Sequence, residues 1–292
     1  MNRYRDLKQI VSKTLFYFVL VIISLFCVLP LVIIISSSFS DENALVNFGY
    51  GFLPREFSLE AYRFLFNQPE QLVRSYEITI FVTIFGTAAS LLVTSLLAYP
   101  LSRKDFRMRN GLSFYVLFTM LFNGGLVPTY IVITKVLHLK DTPWALILPY
   151  LIIPWFVLLM RTFFATIPDE IIESAKMDGI GEYRLFWQII MPLSTPVLAT
   201  IGLFCTLNYW NDWYLALLYI ESRNLIPLQY LLMNIIKNIE VINSSTNTTT
   251  TLIPSDTVRL ATAVLAIGPI IFVYLFFQKY FVRGLTVGAV KG

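Results

Sequence analysis

The chain has 292 residues, 57% of them hydrophobic and 14% charged, whereas soluble domains carry roughly a quarter charged residues. That balance excludes an ordinary soluble domain and reads as an integral membrane protein. The net charge of +4 needs only the excess of Lys and Arg that cytoplasmic loops keep, and it makes no case for nucleic acid.

A hydrocarbon core of about 30 Å takes about 20 apolar residues of helix to cross, and windows of that length make helices rather than a barrel the means of satisfying the backbone. Six such windows predict an all-α, polytopic membrane fold. The first, 15–37, follows Arg3, Arg5, Lys8 and Lys13, which mark a cytoplasmic N-terminus,. It begins too late and runs too long for a cleaved signal peptide, and no small-residue cleavage site follows, so it reads as a retained span. The next loop sets Asp41, Glu42, Glu56, Glu60 and Glu70 against Arg55, Arg63 and Arg74. Lacking a basic excess, it belongs outside.

The second window, 78–101, leads into Arg103, Lys104, Arg107 and Arg109, a second cytoplasmic signal,. The third, 112–133, holds Asn123 beside Gly124 and Gly125, with Pro128 one turn on. Asn123 is a candidate for cargo contact, with a simple helix break as the plainer explanation. His138, in the following outer loop, has no Cys or His neighbour at ligand spacing and predicts no metal site,. Pro149 and Pro154 in the fourth window, 145–164, predict kinks,.

Segment 165–192 then falls on the cytoplasmic side, and it describes a helix, a turn and a helix. Thr166 is placed to cap, Pro168 suits a first turn, and Asp169 and Glu170 favour the positive end of a helix dipole,. Ile171, Ile172 and Ala175 recur at helical spacing, Gly179 can take the left-handed conformation that stops a helix, and a second segment, 182–190, ends before Pro192,. Lipid-surface helices usually display many Lys and Arg. This hairpin mixes Glu170, Glu173, Asp178 and Glu182 with only Lys176 and Arg184, so its outer face is read as a seat for a protein partner.

The fifth window, 195–218, contains TLNYWNDWY. Asn208, Asn211 and Asp212 stand at i, i+3 and i+4, which predicts two amides and a carboxylate on one helical face, surrounded by Tyr209, Trp210, Trp213 and Tyr214,. Amides and carboxylates bind sugar hydroxyls, and aromatics stack on the apolar faces of sugar rings. The same residues also serve as interfacial anchors or helix-to-helix hydrogen bonds, and the spacing leaves both readings open. Asn243 and Asn247 in the next outer loop fit a glycosylation pattern, although a polar, Ser/Thr-rich tip accounts for them as well,. The sixth window, 260–281, carries the kink pair Gly268 and Pro269 and returns Lys279, Arg283 and Lys291 to the cytoplasm. Cys27 and Cys205 lie inside apolar windows and read as small hydrophobes,. The chain thus divides into 1–75, a core of 76–282 and a tail of 283–292.

Glu173, Ser174, Ala175, three residues, Gly179, nine residues, Ile189, one residue, Met191 and Pro192 resemble the EAA loop of bacterial ABC importer permeases, with Ser174 in place of an alanine and Met191 in place of a leucine. The tail GLTVGAVKG resembles that of the shorter permease subunit of maltose-type transporters, and FNGGLVPTYIV (122–132) resembles the subset handling complex oligosaccharides or polysaccharide fragments. The resemblance implies a type I importer permease fold in a bacterial cell membrane, a second permease subunit as heterodimer partner, two ATP-binding subunits, an extracellular solute-binding protein and a sugar cargo. It implies ATPase coupling through Glu173, Ser174, Ala175, Asp178, Gly179, Ile189 and Pro192, and ATPase contact by Gly284, Lys291 and Gly292. The chain contains neither GxxxxGK[ST] nor GxGxxG, so no cofactor or enzyme activity is expected on it, and ATP and Mg belong to the partner. A secondary transporter would show internal repeats and charged intramembrane relays, whereas Asp212 alone stands well inside a window. An ABC permease for amino acids, peptides or metal ions is the nearer alternative.

Overall fold

The computed structural model describes residues 2–245 and 255–289, with side chains over 13–242, 255–275 and at Phe277. Among the described residues the regular structure is helical, and an antiparallel bridge joins Ser40 and Phe57. Asn247, Lys291 and Gly292 lie outside the described residues, as does the side chain of Asn243, while the backbone of Gly284 lies in the last helix.

One unit comprises Met1–Pro69 and Asn234–Ile267. Helix α1 (Asn2–Ser38) contains the first predicted span and is long and apolar enough to cross a membrane from Lys13 onward. Two short helices, α2 (Glu42–Phe48) and α3 (Glu60–Leu65), follow in what composition marks only as an outer loop. Asp41 caps α2 by accepting the N–H groups of Asn43 at 2.9 Å and Ala44 at 3.3 Å,. The neighbouring Glu42 reaches across the unit to the start of the last helix, Asp256–Ala289. Its carboxylate accepts the N–H groups of Ser255 (3.0 Å), Asp256 (2.9 Å) and Thr257 (2.9 Å) and the Thr257 hydroxyl (2.6 Å). A carboxylate there satisfies orphan donors and meets the positive end of the dipole. Ala61, Leu65, Ile239, Val258 and Ala261 form the core beneath.

The other unit comprises Glu70–Met233 and Gly268–Gly292. Helix α4 (Pro69–Ser102) buries Ser75, Thr79, Thr83, Ser90, Thr94 and Ser95, small polar side chains that let neighbouring helices approach closely,. The third predicted span is a broken one: α5 (Arg109–Leu121) and α6 (Leu126–Ile131, continued by a π turn over Val132–Val136) meet at 109°. Gly125 sits at φ +88° and the Asn123 side-chain oxygen accepts its N–H at 2.8 Å, which secures the break,. In the fourth span, α7 (Pro143–Ile147, continued by a 3₁₀ turn over Leu148–Tyr150) and α8 (Pro154–Phe164) bend by 51° around Pro149 and Pro154, as those prolines predict.

The hairpin consists of α9 (Asp169–Met177), then α10 (Glu182–Leu185), a π turn over Phe186–Ile190 and α11 (Met191–Leu193). It meets α12 (Thr195–Asn211) at 79°. The fifth window is therefore not one helix: α12 stops at Asn211, Asp212 is extended, and α13 (Tyr214–Tyr219) starts afresh. Two longer helices close the chain, α14 (Leu228–Ser245), which no span window anticipates, and α15 (Asp256–Ala289), with Pro269 inside it. Among the described residues, three helices are long and apolar enough to cross a membrane, or up to six spans if each bent pair counts as one.

Breaking helices at membrane depth frees carbonyls that lipid cannot satisfy. In a continuous helix the Tyr150 carbonyl would accept from residue 154, but Pro154 has no N–H,. The Ile147 carbonyl loses Leu151, whose N–H bonds Leu148 at 3.2 Å instead. The Tyr209 hydroxyl donates to Ile147 at 3.0 Å, and the Ser90 hydroxyl lies 3.3 Å from the Tyr150 carbonyl and 3.0 Å from the Tyr209 oxygen. The Tyr209 ring reaches this position by lying on Gly86, where an added Cβ would stand 2.7 Å from it.

Because two hydrogen bonds hold that ring, Gly86→Ala cannot be relieved by a simple rotation. It should lower the thermal stability of the solubilised protein by the ~1–3 kcal/mol typical of overpacking. In a Tyr209→Ala background the same change should cost measurably less. Strictly additive losses would show that the ring is not the obstacle.

Candidate functional site

The hairpin has two unlike faces. Ile172, Ala175, Leu185, Phe186 and Ile190 are buried in one cluster with Ala98 and Leu101 of α4, Phe156, Met160 and Phe164 of α8, and Val197 and Ile201 of α12. The opposite face exposes Glu173 and Ser174, with Met177 89%, Tyr183 85% and Trp187 49% exposed. Exposed side chains of that size, gathered on a helical hairpin and interleaved with carboxylates, have the composition of an interaction surface.

The turn follows from backbone chemistry. Gly179 sits at φ +77°, its N–H bonds Lys176 at 3.0 Å and the Ile180 N–H bonds Ala175 at 3.0 Å. This is the paired closure by which a left-handed glycine ends a helix. Pro168 rather than Thr166 occupies the N-cap of α9, and the Thr166 hydroxyl donates to the Phe163 carbonyl at 2.7 Å, so Thr166 is not the cap. Pro168 has no side chain to offer, and the acidic first turn serves the dipole in its place,.

Ion pairs tie the hairpin to the basic turn after α4. Lys104 meets Asp169 at 2.7 Å, and Lys176 meets both Glu182 at 2.8 Å and Asp105 at 3.3 Å, while Arg103 holds Asp105 at 2.9 Å. The Tyr99 hydroxyl donates to Glu182 at 2.9 Å. The Arg103 guanidinium holds the Asp105 carboxyl below the usual range against an opposing effect of burial, with Lys176 assisting. Lys104 does the same to Asp169, and Glu182 holds the Lys176 ammonium above the ordinary lysine range.

The predicted coupling residues therefore divide. Glu173, Ser174, Asp178, Gly179 and Pro192 lie on the accessible side. Ala175, 5% exposed, is packed in the chain's own core, and Ile189 packs half-buried against the same cluster, so both side chains help to seat the hairpin. Ile171, Ile172 and Ala175, expected together as one packing face, also separate: Ile172 and Ala175 turn inward and Ile171 is exposed.

The predicted cargo face is corrected in the same way. Asn208 and Asn211 are exposed along α12, one turn beyond the exposed Phe204. Asn211 donates to the Leu207 carbonyl at 3.0 Å, which fixes its amide. Asp212 does not share this face, because the helix has ended: its carboxylate accepts from the Tyr150 hydroxyl at 3.0 Å and from the Leu215 N–H at 3.2 Å. Tyr209 and Trp210 are each 3% exposed and sit inside the unit. Asn123 is exposed, with its oxygen engaged by Gly125. Among the described residues, no group of three or more His, Cys, Asp or Glu is placed to hold a metal, and both cysteines are free, Cys205 buried and Cys27 exposed.

The seat of the hairpin sets a pH window. Depressed carboxylates contribute fully above their ordinary pKa of about 3.9 and lose that contribution as pH falls through the lowered value; the raised lysine contributes below about 10.4 and loses it above. Amide exchange across residues 169–190, corrected for intrinsic rates, should be flat from about pH 5 to 9 and rise below about 4, with Asp105→Asn shrinking the acid step. A midpoint near pH 6 would contradict this. Gly179→Ala meets no atom within 4 Å, so its cost is backbone strain alone, ~1 kcal/mol by thermal unfolding, and Gly179→Asn should cost less.

Residues 5–287 match the family described as binding-protein-dependent transport system inner membrane component. Protein LplC of Bacillus subtilis (strain 168) is 42% identical over 91% of this chain and 90% of its own length. The polygalacturonan/rhamnogalacturonan transport system permease protein YtcP of the same organism is 38% identical over 98% of this chain and 100% of its own. Its arabinooligosaccharides transport system permease protein AraQ is 30% identical over 97% and 96%. A chain in the crystal structure of a bacterial ABC transporter involved in the import of the acidic polysaccharide alginate matches with a TM-score of 0.77 at 31% identity, covering 93% of this chain and 96% of that one. The helical architecture, the hairpin with its EAA-like residues and these matches agree, and the chain belongs to the binding-protein-dependent transport system inner membrane component family, as a non-enzymatic ABC importer permease.

Proposed function

We propose that the chain forms half of a membrane pathway for an oligosaccharide or polysaccharide fragment, and that its hairpin receives the movement of an ATPase. The observation that carries this reading is the two-faced hairpin. One side is fused to α4, α8 and α12 through Ile172, Ala175, Leu185, Phe186 and Ile190, and the other exposes Glu173, Met177, Tyr183 and Trp187. A rigid projection of that kind converts closure of a partner into rigid-body rotation of the spans behind it.

The assembly this implies has a second permease subunit, two ATP-binding subunits that carry ATP and Mg, and an extracellular solute-binding protein. The hairpin and both termini face the cytoplasm, in keeping with Arg103, Lys104, Arg107 and Arg109 beside the hairpin's seat,. The likeness to YtcP, AraQ and the alginate transporter supports a carbohydrate cargo. Asn208 and Asn211, exposed beside Phe204, supply amides and an apolar ring on one helical stripe, and this pair replaces the wider set of Tyr209, Trp210 and Asp212 as the cargo-contacting face.

Met177→Asp and Tyr183→Ala should each weaken capture of the ATPase subunits and lower cargo-stimulated ATP hydrolysis while leaving the permease inserted and paired. Unchanged capture in both variants would sink the docking assignment. Asn208→Ala and Asn211→Ala should raise the apparent KM for cargo by about five-fold, the equivalent of one net hydrogen bond of ~1 kcal/mol, with ATPase capture intact. Normal uptake kinetics in the double variant would remove the stripe from the pathway.

A further inference from the structure

Between the end of α4, the start of α5 and the end of α8 lies a cavity of about 170 Å³ whose lining includes Arg103, Lys104, Arg109 and Arg161 against one carboxylate, Asp169. Arg103 is engaged by Asp105 and Lys104 by Asp169. Among the described residues, neither Arg109 nor Arg161 has a carboxylate within ion-pair distance. Both are half-buried. Arg161 is also held in place: its Nε donates to the Leu101 carbonyl, an orphan at the end of α4, at 3.1 Å, which directs the guanidinium at a fixed angle,.

A half-buried guanidinium with no counter-charge is costly, and a pair of them lining one cavity calls for an anion. Guanidinium forks match phosphate geometry in two parallel hydrogen bonds. The rest of the lining mixes Tyr99 and Ser102 with the apolar side chains of Phe164, Ile167, Ile172 and Ile190, so the cavity suits a phosphate attached to a partly apolar body. Basic pockets between spans, at the level where the helices leave the bilayer, recognise the headgroups of anionic phospholipids.

We propose that this cavity binds the phosphate of an anionic phospholipid between Arg109 and Arg161. The bound lipid would stand beside the Lys104–Asp169 pair that seats α9, so the charge of the bilayer would bear directly on the hairpin. The cavity lies in one unit of one chain, and the proposal stands or falls independently of the cargo.

The test is native mass spectrometry of the assembled transporter released from membranes containing phosphatidylglycerol and phosphatidylcholine. Wild type should retain phosphatidylglycerol in preference, and Arg109→Gln and Arg161→Gln should each reduce that retention about ten-fold, the scale of a charge-assisted hydrogen bond. Arg107→Gln removes the same charge from the same turn outside the cavity lining and should leave retention unchanged. Equal retention by wild type and the double Gln variant overturns the proposal, as does a loss in Arg107→Gln as large as the others. Displacement of the retained lipid by millimolar inorganic phosphate would assign the pocket to free phosphate and overturn the lipid. If the Gln variants do not assemble, Arg109→Lys and Arg161→Lys, which keep charge and lose the fork, should assemble with reduced retention, and unchanged retention in them overturns the proposal.

Discussion

The hydrogen bond from Tyr209 to the Ile147 carbonyl is the contact on which the larger unit depends, because it answers the cost of breaking a helix in lipid. Every bent span exposes backbone groups that the bilayer cannot satisfy. At the fourth span Tyr209 and Ser90 supply what Pro154 withholds, and the bond can form because Gly86 leaves room for the ring. Three segments distant in sequence, α4, α7 and α12, meet at one hydroxyl. The same repair recurs where the breaks recur. Pro196 cannot donate to the Pro192 carbonyl, and the Thr195 hydroxyl does so at 2.7 Å. Asn123 accepts from Gly125 in the third span, and Glu42 takes up the orphan donors at the start of α15.

The hairpin is the second consequence of bending. A straight continuation from α8 would leave no element lying across the ends of the spans. The turn at Gly179 folds the chain back, and the pairs Lys104–Asp169 and Lys176–Asp105 fasten it to the turn after α4. These pairs are exposed, and exposed pairs contribute little singly. The buried cluster from Ile172 to Ile190 supplies most of the cohesion, and the charges fix which way the hairpin lies. A partner pressing on Tyr183 therefore presses on a packed body.

Elements with a single dominant period were legible in the sequence. Each long apolar window overlaps a helix or bent helix pair that is long and apolar enough to cross a membrane, and the mixed charge of 173–192 identified the hairpin and its turn. What stayed hidden depended on partners distant along the chain. Asp212 reads as the third member of a polar face only while the helix is assumed to continue; its carboxylate is drawn off by Tyr150, sixty-two residues away. Tyr209 and Trp210 look like pathway aromatics in TLNYWNDWY, but the Tyr209 ring turns inward onto Gly86 of another helix and Trp210 is buried beside it in sequence. Helix α14 was visible in principle, since Leu228, Leu232, Ile235, Ile239 and Ile242 keep helical spacing. A search tuned to membrane spans passes over an amphipathic helix with Asn, Lys and Glu on its other side.

The joint between hairpin and α12 connects the two halves of the proposed mechanism. The Ser194 N–H bonds Ile190 at 3.0 Å and the Leu198 N–H bonds Ser194 at 3.0 Å, one on each side of Ser194, and the Thr195 hydroxyl spans the joint to the Pro192 carbonyl at 2.7 Å where the axis turns by 79°. The Thr195 bond braces the bend, because opening the angle at Ser194 would strain it. Beyond the joint α12 runs for 17 residues, about 25 Å at 1.5 Å per residue, and carries Asn208 and Asn211 at its far end. In the proposed mechanism, movement taken up at Met177 and Tyr183 would reach the amide stripe along α12, whose Tyr209 is bonded to the fourth span at Ile147. The prolines at 192 and 196 set the angle of this lever, and the Thr195 hydroxyl, by satisfying the carbonyl they orphan, keeps it stiff.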